Sequence, residues 1–243
     1  MTESVNGRAA ATAMPKDRLP EGDEKRAAVR AMFDTIAPRY DLVNRLLTFR
    51  MDVGWRRKTL AAMALPNGSS ILDLASGTGD FCVELDAAGH QPIGIDLSYG
   101  MLAAGRSSAP LLQGDLLDLP IRDGSADGAV CGFALRNLVD LEPFFEELRR
   151  VVRPGGKIGL LDVSQPDNRV LRWGHGLYFN KVVPLVGGLV SDRSAYSYLP
   201  RSVSYLPDAP ELVAMLEKAG FENVVRRQLS TGISQLLTAT RSS

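Results

Sequence analysis

Two rhythms alternate along this chain. Short apolar runs at Ile71-Leu72, Pro92 to Asp96, Leu111-Leu112, Gly128 to Phe133 and Ile158 to Val163 are separated by stretches of helical spacing at Phe81 to Ala88, Ser98 to Arg106 and Glu142 to Val152. Apolar runs of that length predict buried strands, and helices between successive strands predict parallel connections. The fold class read from the pattern is α/β, a Rossmann-like, mostly parallel sheet with helices on both faces. Arg153-Pro154-Gly155-Gly156 stops the longest of these helices and turns the chain into the fifth strand. Near the end, Pro210 to Ala219 reads as an amphipathic helix closed by Gly220, and Glu222 to Arg227 with Ile233 to Thr240 completes the sheet as an antiparallel hairpin.

Before the first strand the spacing is helical from Asp41 to Ala64, with Leu42, Leu46, Leu47, Trp55, Leu60 and Met63 among charged residues and a break near Met51 to Gly54, which predicts two helices. Residues 1–24 are rich in alanine, charge and small polar groups and carry Pro15, Pro20 and Gly22, the composition of a mobile tail. Residues 25–243 then form one domain, with 25–66 as a helical cover ahead of the sheet and 164–206 as an insertion after the fifth strand. That insertion carries Trp173, Tyr178, Phe179, Val182, Val183, Leu185, Val186, Leu189 and Val190, more apolar surface than an ordinary loop needs.

The chemistry begins where the first strand runs into Asp73-Leu74-Ala75-Ser76-Gly77-Thr78-Gly79-Asp80. Gly77 and Gly79 let the backbone approach a ligand closely at the start of a helix. A dinucleotide fingerprint needs a third glycine at position 82, where Cys82 stands, and Asp73 repels a pyrophosphate. A strand-terminal carboxylate suits a cationic ligand instead, and S-adenosylmethionine carries both an ammonium and a sulfonium. Asp96, at the end of the second strand and followed by Leu97 and Ser98, is placed to bind ribose hydroxyls. Asp115 and Leu116, after the third, suit the exocyclic amine and the face of adenine. Each acid taken singly has a plainer account as a helix cap. Their recurrence at successive strand ends favours the cofactor.

Lys and Arg together number 28, as do Asp and Glu, and no basic stripe carries interleaved aromatics, which argues against nucleic acid. Cys82 and Cys131 are too few for a disulfide scaffold, and with His90 and His175 they form no metal-ligand spacing, so no structural metal is expected. The start of the chain lacks the apolar core of a secretory signal, and no run is continuous enough to span a bilayer, so a cytoplasmic location is expected.

Several segments resemble the ubiquinone/menaquinone biosynthesis C-methyltransferases, a family of class I S-adenosylmethionine-dependent methyltransferases. They are Phe33 to Asp41 with Asn44 following, Leu72 to Asp80, Phe133-Ala134-Leu135-Arg136-Asn137, Arg153 to Gly156, and Tyr196 to Leu199 with Ser202 following. The resemblance runs from about Val29 to about Leu237. It implies a seven-stranded methyltransferase sheet and methyl transfer to a ring carbon of a prenylated demethylquinol. It also completes the set of cofactor positions: Asp73, Ala75, Ser76, Gly77, Thr78, Gly79, Asp96, Leu97, Ser98, Met101, Asp115, Leu116 and Phe133.

The implied catalytic residues are Arg136, Tyr40 and Asn137. An aromatic carbon becomes nucleophilic when the neighbouring hydroxyl loses its proton, and the permanent charge of Arg136 favours that oxyanion. A water held by Arg136 and Asn137 would relay the proton, with Tyr40 hydrogen-bonded to the quinol oxygen. The residues by themselves leave other roles open: packing for Tyr40, a surface pair of Arg136 with Asp140 or Glu142, and a helix cap for Asn137. For a lipid quinol, the 164–206 insertion is read as the substrate cover with a shallow membrane-contact face, or else as a patch between two copies in a homodimer. The chain departs from the family pattern at Asp162, where Glu is usual, at Ala134, where Gly is usual, at Arg201, usually acidic, and in its last strand. These departures bear on the acceptor.

Overall fold

A computed structural model describes residues 20–164 and 201–243, together with residues 166, 168, 173, 174 and 198. Three helices precede the sheet, α1 (Gly22–Ile36), α2 (Tyr40–Leu47) and α3 (Met51–Met63), with a short 3-10 turn at Ala37–Arg39. The spacing had predicted two. The additional helix, α1, buries Lys25, Ala28, Val29, Met32 and Ile36, a stripe whose small residues and lysine give a weak apolar signal. The break between α2 and α3 also falls earlier than expected, at Thr48 to Arg50, where Phe49 and Arg50 have positive φ. Gly54 stays helical because the first turn of α3 is anchored from both sides: the Thr48 hydroxyl donates to Asp52 at 2.7 Å and Arg56 reaches the same carboxylate at 2.7 Å. Those charge-assisted bonds outweigh the roughly 1 kcal/mol that a helical glycine costs.

The sheet contains β1 (Ser70–Leu74), β2 (Gln91–Asp96), β3 (Leu111–Gln113), β4 (Ala126–Gly132), β5 (Val152–Val163), β6 (Phe221–Leu229) and β7 (Ser234–Arg241) in the order β3-β2-β1-β4-β5-β7-β6. The pairings from β3 through β5 are parallel, and β7 is antiparallel to both β5 and β6. The expected architecture is therefore present. β5 begins earlier than its apolar run suggested: Ala126 pairs with Val152 and Gly128 with Lys157, so Arg153 to Gly156 bulge out opposite Asp127. Arg153 pairs with Asp127 at 2.7 Å across that bulge.

Helices α4 (Asp80–Ala87), α5 (Tyr99–Ala103), α6 (Leu141–Val151) and α7 (Ala209–Lys218) connect or cover the strands. Phe144, Phe145 and Leu148 of α6 pack with Leu212 and Leu216 of α7 in one cluster, each such side chain stabilising the fold by roughly 1.5–3 kcal/mol. Trp55 and Met63 of α3 meet Phe81 and Leu85 of α4 in a second. Gly159 makes that contact possible, because a Cβ there would lie 2.6 Å from Thr59 and 2.8 Å from the Met63 sulfur. A third cluster joins α1 and α2 to Tyr198 through Val29, Met32 and Val43. It puts the N-terminal helices over the carboxyl ends of the strands.

Candidate functional site

The strand order reverses between β1 and β4, and an open α/β sheet binds ligands in the crevice outside the carboxyl ends at such a point. A cleft opens there. Its floor is the β1 turn. Ala75, at φ 56, and Phe133, at φ 60, hold positive φ at the ends of β1 and β4, a strain that side-chain-bearing residues adopt where the surrounding structure demands it. Gly77, at φ 57, brings its backbone against the Met101 side chain, and a Cβ would meet that methyl at 3.0 Å. Gly79, at φ 85, makes the turn into α4 and lies behind the lining rather than in it; a Cβ there would press on Ser107 at 2.8 Å.

Each strand-end acid accepts from backbone amides, some adjacent and some from another turn. Asp96 accepts from the amides of Gly77 and Ser98, both at 2.8 Å. Asp115 accepts from the Leu117 amide at 3.1 Å, and its other oxygen pairs with Arg26 of α1 at 2.5 Å. Asp73 accepts from the Cys82 amide at 3.2 Å and thiol at 3.3 Å. Burial raises its carboxyl to about 7, against those two hydrogen bonds and the nearby charge of Arg56, so a cation entering the cleft meets a buried acid in no direct ion pair. The expected cofactor residues other than Gly79 all line this cleft: the β1 turn, Asp96 to Ser98, Met101, Asp115, Leu116 and Phe133. The Ser76 hydroxyl is buried there without a partner. Narrow glycine approach, unspent hydroxyl and unpaired acid together fit the nucleoside and amino-acid ends of S-adenosylmethionine.

Helix α1 closes the cleft from above. Its Asp34 accepts from the Ser98 hydroxyl at 2.6 Å and the Gly100 amide at 2.9 Å, joining it to the start of α5. Its Lys25 donates to the Leu138 carbonyl at 2.5 Å and sits 3.5 Å over the Tyr205 ring. Helix α2 is joined to the glycine turn by the Thr78 hydroxyl, which donates to Asp41 at 2.6 Å.

At the other end of the cleft the three expected catalytic residues are treated differently by the fold. Tyr40 and Asn137 line it; Arg136 does not. The Arg136 guanidinium is buried behind the lining, donating to Asp162, to the Phe133 carbonyl at 2.8 Å and to Ser202 at 3.2 Å. A surface pair with Asp140 or Glu142 is thereby excluded: Asp140 caps α6 by accepting from the Glu142 amide, and Glu142 pairs with Lys218. Asn137 is not a helix cap either. Its Nδ2 donates to the Phe133 carbonyl at 3.3 Å while its Oδ1 is buried without a partner. Around the Tyr40 hydroxyl, desolvation raises the pKa to about 12, partly offset by the charges of Arg136 and Arg56, so it stays a proton donor at neutral pH.

Sequence reasoning missed Arg56 and its partners. Arg56 lines the cleft and holds Asp52 at 2.7 Å and Asp80 at 2.9 Å, and Asp80 also meets Arg45 at 3.4 Å. The available signal was the basic pair Arg56-Arg57 on a predicted helix before an acidic glycine turn. Asp162 had been noted as a departure, without its role as the partner of Arg136. Of the expected substrate cover at 164–206, residues 175–197, including Tyr178 to Val190, lie outside the described residues, while Trp173 is exposed and Tyr198 and Ser202 are buried.

With this geometry in place, comparison with known proteins decides the family. The profile of the ubiE/COQ5 methyltransferase family matches residues 21–241. The chain belongs to that family. It is 39% identical over 238 residues to the ubiquinone/menaquinone biosynthesis C-methyltransferase UbiE of Syntrophotalea carbinolica, covering 94% of this chain and 98% of that one. It is 38% identical to the demethylmenaquinone methyltransferase of Roseiflexus castenholzii, covering 92% and 97%. Among solved structures, phosphoethanolamine N-methyltransferase 2 of Haemonchus contortus, in complex with phosphomonomethylethanolamine and S-adenosylhomocysteine, superposes with TM-score 0.65 at 12% identity, covering 88% of this chain and 60% of that one. A SAM-dependent methyltransferase of Aquifex aeolicus gives 0.59 at 18%, covering 82% and 97%. Such low identities speak for the fold. This ubiE/COQ5 methyltransferase is an S-adenosylmethionine-dependent enzyme.

Proposed function

We propose that this enzyme C-methylates a prenylated demethylquinol in quinone biosynthesis. The observation that carries the reading is that Tyr40, a proton donor at neutral pH, and Asn137, whose Oδ1 is buried without a partner, line the same cleft with the Arg136 charge behind the lining. S-adenosylmethionine supplies an electrophilic methyl group on a positively charged sulfur. The chain's own residues then have separate tasks. Asp73 faces the cofactor ammonium, Arg56 its carboxylate, Asp96 the ribose hydroxyls, and Asp115 with Leu116 the adenine. Asn137 Oδ1 accepts a hydrogen bond from the quinol hydroxyl and fixes which ring carbon faces the methyl group. As the hydroxyl proton passes to water, Tyr40 donates to the developing oxyanion and the buried Arg136 charge stabilises it at short range. Paired with Asp162, Arg136 keeps its position without serving as a base.

The names of the two relatives support a quinone-biosynthetic substrate. No described helix is long and apolar enough to cross a membrane, so a lipid substrate calls for surface contact rather than insertion. The test is mass spectrometry of products after incubation with S-adenosylmethionine and reduced short-chain demethylmenaquinol and benzoquinol analogues. A product one methyl heavier on the ring is expected. Cofactor binding with no product from any quinol would move the acceptor to another phenol.

A further inference from the structure

Helix α2 is apolar on two faces. Val43 and Leu47 pack into the cluster with α1 and Tyr198. On the other side Leu42 is 56% exposed, Leu46 49% and Phe49, just past the helix end, 73%. Their spacing of four and then three residues makes one continuous stripe. Phe49 is held outward at φ 50, a conformation uncommon for any residue with a side chain and more so for a bulky one. Exposure of a large aromatic ring and a strained backbone are both unfavourable in water. Together they indicate a face built for a second phase.

Charge says which phase. The chain as a whole is neutral, yet from 39 to 58 six basic residues (Arg39, Arg45, Arg50, Arg56, Arg57 and Lys58) stand against two acids, Asp41 and Asp52. Both of those acids are buried. Arg56 is buried on Asp52 and Asp80, Arg57 pairs with Glu84 and Arg45 with Asp80, while Arg50, next to Phe49, and Lys58 of α3 are exposed, so the outward side is apolar at its centre with positive charge near it. A second copy of the same positive face would be repelled, whereas an anionic bilayer supplies both the apolar interior and the countercharge.

We propose that the α2 face, Leu42, Leu46 and Phe49 with Arg50 and Lys58 near it, docks this enzyme on an anionic lipid surface. Tyr40, two residues before Leu42, lines the cleft, so docking here sets the acceptor end beside the headgroups, where a lipid substrate is withdrawn. The purpose of docking rests on the quinol reading; the docking does not.

The test is flotation of the full chain with vesicles of phosphatidylcholine alone and of phosphatidylcholine mixed with phosphatidylglycerol. Recovery with the anionic vesicles, weakening as salt is added, is expected, with a loss of at least about tenfold in the triple variant Leu42→Ser, Leu46→Ser, Phe49→Ser. That variant should keep its melting temperature and its rate on a water-soluble short-chain quinol. A wild-type chain that does not float, a triple variant that floats as well as wild type, or a concentration-dependent dimer that the triple variant dissolves would each overturn the proposal. Flotation that depends on the stripe, in an enzyme that methylates no quinol, would uphold the docking face and refute the substrate.

Discussion

The two ends of the cleft are built in opposite ways. At the proposed cofactor end each acid accepts from backbone amides: Asp73 from Cys82, Asp96 from Gly77 and Ser98, and Asp115 from Leu117, with Arg26 of α1 on its other oxygen. At the acceptor end, charge is satisfied by side chains from distant segments. Arg136 is held by Asp162 of β5 and by Ser202, 26 and 66 residues away. Amide-held carboxylates stay in place whatever acceptor is used, while a network of side chains can be altered one residue at a time. On the proposed assignment, cofactor binding is then the less sensitive half of the site and acceptor choice the more adjustable one.

Arg136→Ala should give the largest effect. It leaves Asp162 buried without its partner, at a cost of about 3–5 kcal/mol, and a fall in melting temperature of about 10 °C accompanies a loss of turnover of about a thousandfold or more. The double variant Arg136→Met, Asp162→Leu separates the two contributions. Thermal melts should recover most of the stability while product formation stays absent; recovery of both would make Arg136 purely structural and dissolve the contrast between the two ends.

Asp73→Asn comes next, with S-adenosylhomocysteine affinity by calorimetry falling about a hundredfold. The pH dependence has a definite sign. With its carboxyl raised from 3.8 to about 7, Asp73 binds more proton in the folded, unliganded chain than in the unfolded one. Stability of the empty enzyme therefore drops as pH climbs from about 4 to about 7, and the variant should melt higher than wild type at pH 8. Affinity for the cationic ligand should instead tighten from about pH 6 to 7.5 as Asp73 ionises, a dependence that Asn removes. A wild-type affinity flat across that interval would take the ammonium away from Asp73.

Smaller changes probe the joints. Tyr40→Phe should lower turnover about ten- to a hundredfold and leave cofactor affinity within about twofold, since only a donor to the acceptor oxygen is lost. An unchanged rate would make Tyr40 a packing residue. Thr78→Val deletes the 2.6 Å bond to Asp41 and should cost about 1–2 kcal/mol of stability, a few degrees of melting temperature, with turnover little changed. A larger loss of turnover than of stability would show that the cofactor end also depends on α2.

Legibility in the sequence followed the same division. The β1 turn, Asp96 and Asp115 could be read because each strand and the acid or glycine turn that ends it lie within a few residues, where apolar periodicity and turn chemistry act. Helix α1 fell within the expected helical cover at 25–66 but was not counted as a separate helix, because its buried stripe of Ala28, Val29 and Met32 is interrupted by Lys25, whose ammonium meets Leu138 and Tyr205 in the fold. Arg136 was noticed by resemblance and given surface partners, because nothing near it in sequence announces Asp162.

Sequence alone determined the α/β class, the strand-helix alternation, the antiparallel ending and the glycine turn with an acid at successive strand ends, all written in local periodicity and turn chemistry. The tertiary structure decided the rest: which carboxylate neutralises Arg136, that Asn137 leaves an oxygen unspent beside Tyr40, that α1 closes the cleft, and that α2 turns a second apolar face to water. Those depend on pairings across tens of residues, where burial removes the solvent that would otherwise satisfy each group, and only the folded chain brings the partners together.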